Sequence, residues 1–91
     1  MSATAIVVMK VMPESPQSPL NEIKEKIKSF MEQHGAKGLT IEEQPIAFGL
    51  KALIVKAAIP EDKGTDFFES HLAKLPHVSS VSIEDYRRAF G

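Results

Sequence analysis

The residues whose types could support chemistry do not form a catalytic pattern in this chain. His34, His71 and His77 lack the mutual spacing, and the spacing to carboxylates, that metal ligands or an acid–base pair would need. The chain has no cysteine, which excludes a disulfide, a thiolate metal site and a cysteine nucleophile. We therefore expect no catalytic residue, no bound metal and no cofactor.

The acidic stretch between Glu61 and Asp66 has the composition of a cation-binding loop but not its spacing. It lacks the alternating acids and the terminal bidentate glutamate of an EF-hand, so a solvated turn before a helix is the better interpretation. Gly49 and Gly64 are isolated glycines and do not form a phosphate-binding G-x-x-x-x-G-K-[ST] loop. We expect the chain not to bind a nucleotide by itself.

Two other features could serve a partner. Phe48 stands between a strand end at Pro45 and a glycine bend, where ordinary packing in the core or in the hairpin is one alternative and a functional role is the other. Near the terminus, Arg87 and Arg88 precede Phe90, and this tail could be a frayed end. It could equally bring a cation to an anionic or metal-bearing site of a partner, and the sequence leaves both alternatives open.

Length and composition limit what the chain can be. With 91 residues and 10.0 kDa, we expect residues 1–91 to form one small domain of at most two layers. The 43% hydrophobic and 25% charged residues are typical of a soluble domain, and a net charge of −1 argues against bulk binding to nucleic acid or anionic membrane. No apolar run approaches the ~20 residues of a membrane span, and no basic leader is present, so we expect a cytoplasmic protein.

The first half of the chain predicts a strand, a loop and a helix. The near-continuous apolar run of residues 4–12 predicts a central strand. Ser18 has the type of a helix N-cap, Pro19 suits the first helical position, and Gly35 suits the residue after the helix end. The apolar positions of this helix recur on one face: Leu20, Ile23, Ile27, Phe30 and Met31.

The second half predicts two strands, a helix and a last strand. Residues 38–44 alternate as a half-buried strand. After the bend that Gly49 permits, a third strand has Leu53, Val55, Ala57 and Ile59 on one face and ends at Pro60. A second amphipathic helix would begin at Asp66 as its cap, with Thr65 as the competing cap, and residues 78–86 alternate as a fourth strand. This β-α-β-β-α-β order predicts an α+β, ferredoxin-like fold, a four-stranded antiparallel sheet with two helices on one face.

Several segments, taken in order, carry a family resemblance. Residues 45–53 read PIAFGLKAL and follow the pattern P-x-[AG]-[FY]-G-[IL]-K-x-L, and residues 59–66 read IPEDKGTD, similar to an acidic D-K-x-x-T-D segment. Residues 78–83 and the terminal Arg-Arg-Ala-Phe at 87–90 complete the set. Together they make the chain resemble the translation elongation factor 1-beta family, in its archaeal form and in the C-terminal exchange domain of the eukaryotic factor.

The resemblance implies a function that needs no covalent chemistry. Members of this family are guanine-nucleotide exchange factors for elongation factor 1-alpha, the GTPase that delivers aminoacyl-tRNA, and they loosen its magnesium and phosphate contacts so that GDP leaves. The family's aromatic that packs into the GTPase maps onto Phe48. Its near-terminal lysine, directed toward the magnesium site, maps onto Arg88 with Arg87 one step away, and Phe90 completes the partner-binding set. The expected protein is not an enzyme, binds no nucleic acid or membrane directly, and is a monomer when free.

Two other functions are compatible with the same fold. An RNA-recognition module would stack bases on aromatic side chains of its third strand, but residues 50–57 contain none. A small-ligand regulatory domain is the other alternative, since fold alone does not fix function.

Overall fold

The computed structural model describes residues 4–61 and 64–89, and its elements follow the predicted order. They are β1 (Thr4–Pro13), α1 (Leu20–Gln33), β2 (Lys37–Pro45), a 3-10 turn (Ala47–Gly49), β3 (Lys51–Pro60), α2 (Gly64–Ala73) and β4 (Val78–Ala89). The strands form one antiparallel sheet in the order β2-β3-β1-β4, so β2 and β4 are its edges. The predicted ferredoxin-like α+β fold is therefore confirmed.

The core lies between one face of the sheet and the two helices. Along β1 every second residue is buried and the residues between them are half-buried, as a central strand covered on one face requires. The helices contribute buried residues at helical spacing: Ile23, Ile27 and Met31 from α1, and Phe68 and Leu72 from α2. Neither described helix is long and apolar enough to cross a membrane.

The start of α1 differs from the prediction. The N-cap is Pro19, the first helical residue is Leu20, and no side chain caps the helix. The Ser18 hydroxyl instead accepts a hydrogen bond of 3.0 Å from the backbone N–H of Ser15. The prediction that Ser18 caps this helix is wrong, because its hydroxyl closes a local turn in the preceding loop.

The end of α1 is as predicted. Gly35 follows the helix with φ +86°, a left-handed conformation that glycine adopts without steric cost. Its N–H donates to the carbonyl of Glu32 at 3.3 Å, and the N–H of Ala36 donates to the carbonyl of Met31 at 3.0 Å. These two bonds make a Schellman motif, which turns the chain sharply into β2.

Helix α2 begins earlier than the capping pattern predicts. Its first residue is Gly64, so Thr65 and Asp66 both lie inside the first turn. The prediction that either one is the N-cap is therefore wrong. Asp66 still stabilises the helix end, because a carboxylate in the first turn interacts favourably with the helix dipole.

Strand β4 is longer than predicted and absorbs most of the proposed tail. It continues to Ala89, with Arg87 opposite Ile6 and Arg88 opposite Ala5 of β1. The frayed-terminus alternative is therefore wrong for both arginines, because the hydrogen bonding of β1 extends to the end of β4. Phe90 lies outside the described residues.

Candidate partner-binding site

Phe48 is the most exposed large apolar side chain that the structure describes. It sits in the turn between β2 and β3 and is 93% exposed, so the core-packing alternative is wrong. Its backbone has φ 62° and ψ 29°, the left-handed region that is unfavourable for a bulky residue by about 1–2 kcal/mol. An exposed ring held in a strained turn is costly to the free protein, which points to a role in binding.

The turn itself is held by backbone hydrogen bonds. The N–H of Ile46 donates to the carbonyl of Leu50 at 2.7 Å, and the N–H of Leu50 donates to the carbonyl of Ala47 at 3.3 Å. Gly49 continues the left-handed conformation with φ +78°, and a Cβ built there would lie 3.8 Å from Cβ of Pro16 in the β1–α1 loop. Phe48 is therefore displayed on a defined turn beside a second loop.

Arg87 lies on the open face of the sheet, the face away from the helices. It is opposite Ile6, one of the half-buried positions of β1. Its Nε is 3.1 Å from Oδ2 of Asp85, two residues earlier on the same face. Both side chains are well exposed, at 79% and 47%, so this ion pair stabilises the fold only weakly.

Arg88 lies on the helix-facing side, because successive strand residues point to opposite faces. It is opposite Ala5, which is fully buried. Its Nε is 3.0 Å from Oε1 of Glu61, in the turn that follows β3. Sequence reasoning did not identify Glu61 as a contact of the site, since the two residues are distant along the chain and only the sheet topology brings them together.

The structure brings the two arginines to one end of the sheet and places Phe48 at the other. Arg88 is opposite Ala5 of β1, and Ala5 is in turn opposite Ile59 near the end of β3. Phe48, by contrast, precedes Lys51 at the start of β3. With a rise of about 3.3 Å per strand residue, the two ends lie about 25 Å apart along the strands. The candidate site residues therefore occupy two separated regions of the surface rather than one pocket.

The histidines near the helix ends belong to an aromatic cluster between α1 and α2. The ring of Phe30 lies 4.5 Å from that of His34 and stacks on that of His71 at 5.1 Å, measured between centroids. Nδ1 of His71 is 2.9 Å from the backbone carbonyl of Phe67. Within residues 4–61 and 64–89, no three His, Asp or Glu side chains lie close enough together to hold a metal ion.

A comparison with protein families gives a match over most of the chain. The family described as the EF-1 guanine nucleotide exchange domain matches residues 6–89. This span contains the turn that carries Phe48 and the strand end that carries Arg87 and Arg88. The names of similar archaeal proteins agree with this family.

Curated archaeal proteins named elongation factor 1-beta are similar along nearly their whole length. The Methanosphaera stadtmanae protein is 42% identical over 82 residues, covering 89% of this chain and 91% of its own. The Staphylothermus marinus protein is 42% identical over 89 residues, covering 94% and 97%. A Bacillus cereus crystal structure assigned to the antibiotic biosynthesis monooxygenases shares the fold, with a TM-score of 0.54 and 14% identity over 98% of this chain and 95% of its own.

Proposed function

Since the chain belongs to the EF-1 guanine nucleotide exchange domain family and has the nucleotide exchange role of that family in translation elongation, we propose that its partner is the GTPase elongation factor 1-alpha, in the cytoplasm. Exchange uses both ends of the sheet. Phe48 is the anchor at one end, and an arginine of β4 is the cation that acts on the nucleotide site at the other. Phe90 is the remaining residue of the predicted binding set, and we propose that it also contacts the GTPase.

The single observation that carries this proposal is the display of Phe48. A ring that is 93% exposed gains little in the free protein, and its burial in a partner would remove a large apolar surface from water. Aromatic anchors of this kind are typical hot spots, and their truncation commonly weakens binding by 2 kcal/mol or more, about 30-fold.

The cation explains how binding could release the nucleotide. In a GTPase, Mg²⁺ bridges phosphate oxygens and protein oxygens, and it neutralises their charge. A guanidinium placed beside these oxygens competes with Mg²⁺ for the same negative charge. Coupling between two ligands of one protein is reciprocal. A factor that lowers the affinity of the GTPase for GDP therefore binds the GTPase more weakly, by the same ratio, when GDP is bound.

The test is GDP release from elongation factor 1-alpha, timed with a fluorescent GDP at increasing concentrations of the chain. We expect acceleration that saturates, a higher half-saturating concentration for Phe48→Ala, and a lower saturating rate for Arg88→Ala. No acceleration at micromolar factor would reject the proposal. A normal saturating rate for Arg88→Ala with collapsed affinity would reject the role of the cation.

The RNA-binding alternative receives little support from the exposed side chains. Among the described residues, the exposed large apolar side chains are Phe48 and Tyr86. Tyr86 is opposite the buried Val7 and so belongs to the helix-facing side of the edge strand rather than to the open face, where a stacking platform would be needed.

A further inference from the structure

Glu61 forms an ion pair with the inner part of the exposed guanidinium group of Arg88. The side chain of Glu61 is 19% exposed, whereas that of its ion-pair partner Arg88 is 68% exposed. The carboxylate contacts Nε, the guanidinium nitrogen nearest to the main chain. The two terminal amino groups form the outer end of the charged group and carry further N–H donors.

The sheet explains why these two side chains meet. Arg88 is opposite Ala5, and Ala5 is opposite Ile59 of β3, so β1 separates the strand of the arginine from the strand that leads to Glu61. Ala5 carries only a methyl group and is fully buried. Because little side chain stands between them at this level, Arg88 and Glu61 can reach each other across the end of β1.

A fixed arginine presents its charge at a lower entropic cost. A free arginine side chain samples many rotamers, and ordering such a chain during binding reduces the gain from the new contact. An ion pair made before binding restricts that sampling in advance. Since the carboxylate is partly buried, solvent and salt screen the attraction of this ion pair less than they screen that of a fully exposed pair.

We infer that Glu61 is a positioning residue that orients Arg88 for entry into the nucleotide site of the GTPase. The inference rests on the proposed function and deepens it. The inference also distinguishes the roles of the two arginines. Asp85, which pairs with Arg87, is 47% exposed and lies on the face of β4 opposite to Arg88. Asp85 shares its carboxylate with the backbone N–H of Tyr86, which donates to Oδ1 at 2.9 Å.

The experiment compares Glu61→Gln with the matched control Asp85→Asn in the GDP-release assay on the full chain. We expect Glu61→Gln to lower the saturating rate about three- to tenfold, while its half-saturating concentration changes by less than about twofold. Asp85→Asn should stay within about twofold of the wild type in both quantities. Arg87→Ala should lower the saturating rate less than Arg88→Ala does.

A double-variant cycle shows whether Glu61 acts through Arg88. In the Arg88→Ala background, adding Glu61→Gln should change the saturating rate by less than about twofold, because no guanidinium remains to be oriented. A merely structural role would lower the rate in both backgrounds. Glu61→Asp, with a carboxylate one methylene shorter, should fall between wild type and Glu61→Gln, and it provides the measurement if Glu61→Gln does not fold.

The outcomes separate this inference from the proposed function. If the wild type does not accelerate GDP release, both are rejected. Suppose instead that the wild type and Arg88→Ala behave as proposed. If Glu61→Gln then has the saturating rate of the wild type, or lowers that rate by the same factor in the Arg88→Ala background, only the positioning role of Glu61 is overturned.

Discussion

At the scale of single residues, Phe48 combines a solvent-exposed ring with a left-handed backbone. The backbone conformation destabilises the free protein, and the exposed ring contributes almost no burial to offset that cost, so the two properties together favour a role of the ring in binding. Asparagine adopts the left-handed region more readily than phenylalanine does. We therefore expect Phe48→Asn to raise the free energy of unfolding by about 0.5–1 kcal/mol, measured by denaturant titration, while weakening GTPase binding.

Phe48→Leu is the control for this prediction. It keeps an apolar side chain in the strained conformation, so its free energy of unfolding should stay within about 0.5 kcal/mol of the wild type. If Phe48→Asn is instead less stable than the wild type, the ring stabilises the free turn, and its exposure no longer indicates a reserved binding surface.

At the scale of elements, an ion-pair cluster ties α1 to the edge strand β2. Lys24 of α1 donates a hydrogen bond to Oε2 of Glu43, and Nζ of Lys51 lies 3.7 Å from its Oε1. The hydrogen bond and charge of Lys24, followed by the charge of Lys51, lower the pKa of Glu43 below its ordinary value of 4.5. The carboxylate is therefore easier to ionise in the folded protein than in the unfolded chain.

The pH dependence of the stabilisation by this ion-pair cluster follows from the direction of the pKa shift of Glu43. Because the folded pKa is lowered, the stabilisation is present above about pH 4.5 and is lost as the pH falls through the lower, folded pKa. We expect Glu43→Gln to be less stable than the wild type at pH 7, with a difference that shrinks and disappears in acid. Unfolding free energies measured from about pH 7 to about pH 2 check this.

Glu42→Gln is the matched control, since Glu42 is the neighbouring acid on the same strand. Its side chain points to the opposite face of β2, and no ion pair of Glu42 is found among the described residues. Its stability difference from the wild type should be small and should not follow the same acid titration. An equal titration in both variants would contradict the role of Lys24.

The sequence predicts elements where a local periodicity is present and fails where tertiary pairing decides. The alternation in β1 and the helical spacing in α1 follow directly from burying one face, and Gly35 ends α1 because glycine adopts the left-handed conformation of that turn without steric cost. The end of β4 has no such pattern, because Arg87 and Arg88 are strand residues only through their pairing with β1. The contact of Glu61 with Arg88 depends on the same pairing and leaves no signal in the spacing of the residues.

At the scale of the whole molecule, the two contact points of the proposed surface are far apart. Phe48 and Arg88 lie at opposite ends of the sheet, about 25 Å apart along the strands, in a molecule with a longest dimension of 43 Å. A GTPase that contacts both must extend along the protein rather than enclose one end of it. The length of the sheet would then set the distance between the anchored part and the nucleotide site.

This separation predicts that the two contacts act independently. Effects of substitutions more than about 7–10 Å apart, with no shared partner, usually add to within about 0.5 kcal/mol. For the rate of GDP release at subsaturating factor, the activation free-energy changes of Phe48→Ala and Arg88→Ala should therefore sum to that of the double variant. At saturating factor, the double variant should have the same rate as Arg88→Ala alone, because in the proposed mechanism Phe48 contributes to docking and not to the displacement of Mg²⁺. A coupling larger than about 0.5 kcal/mol would mean that docking of the ring also controls entry of the arginine, and the rigid two-point surface would have to be replaced by a conformational change that links the two ends of the sheet.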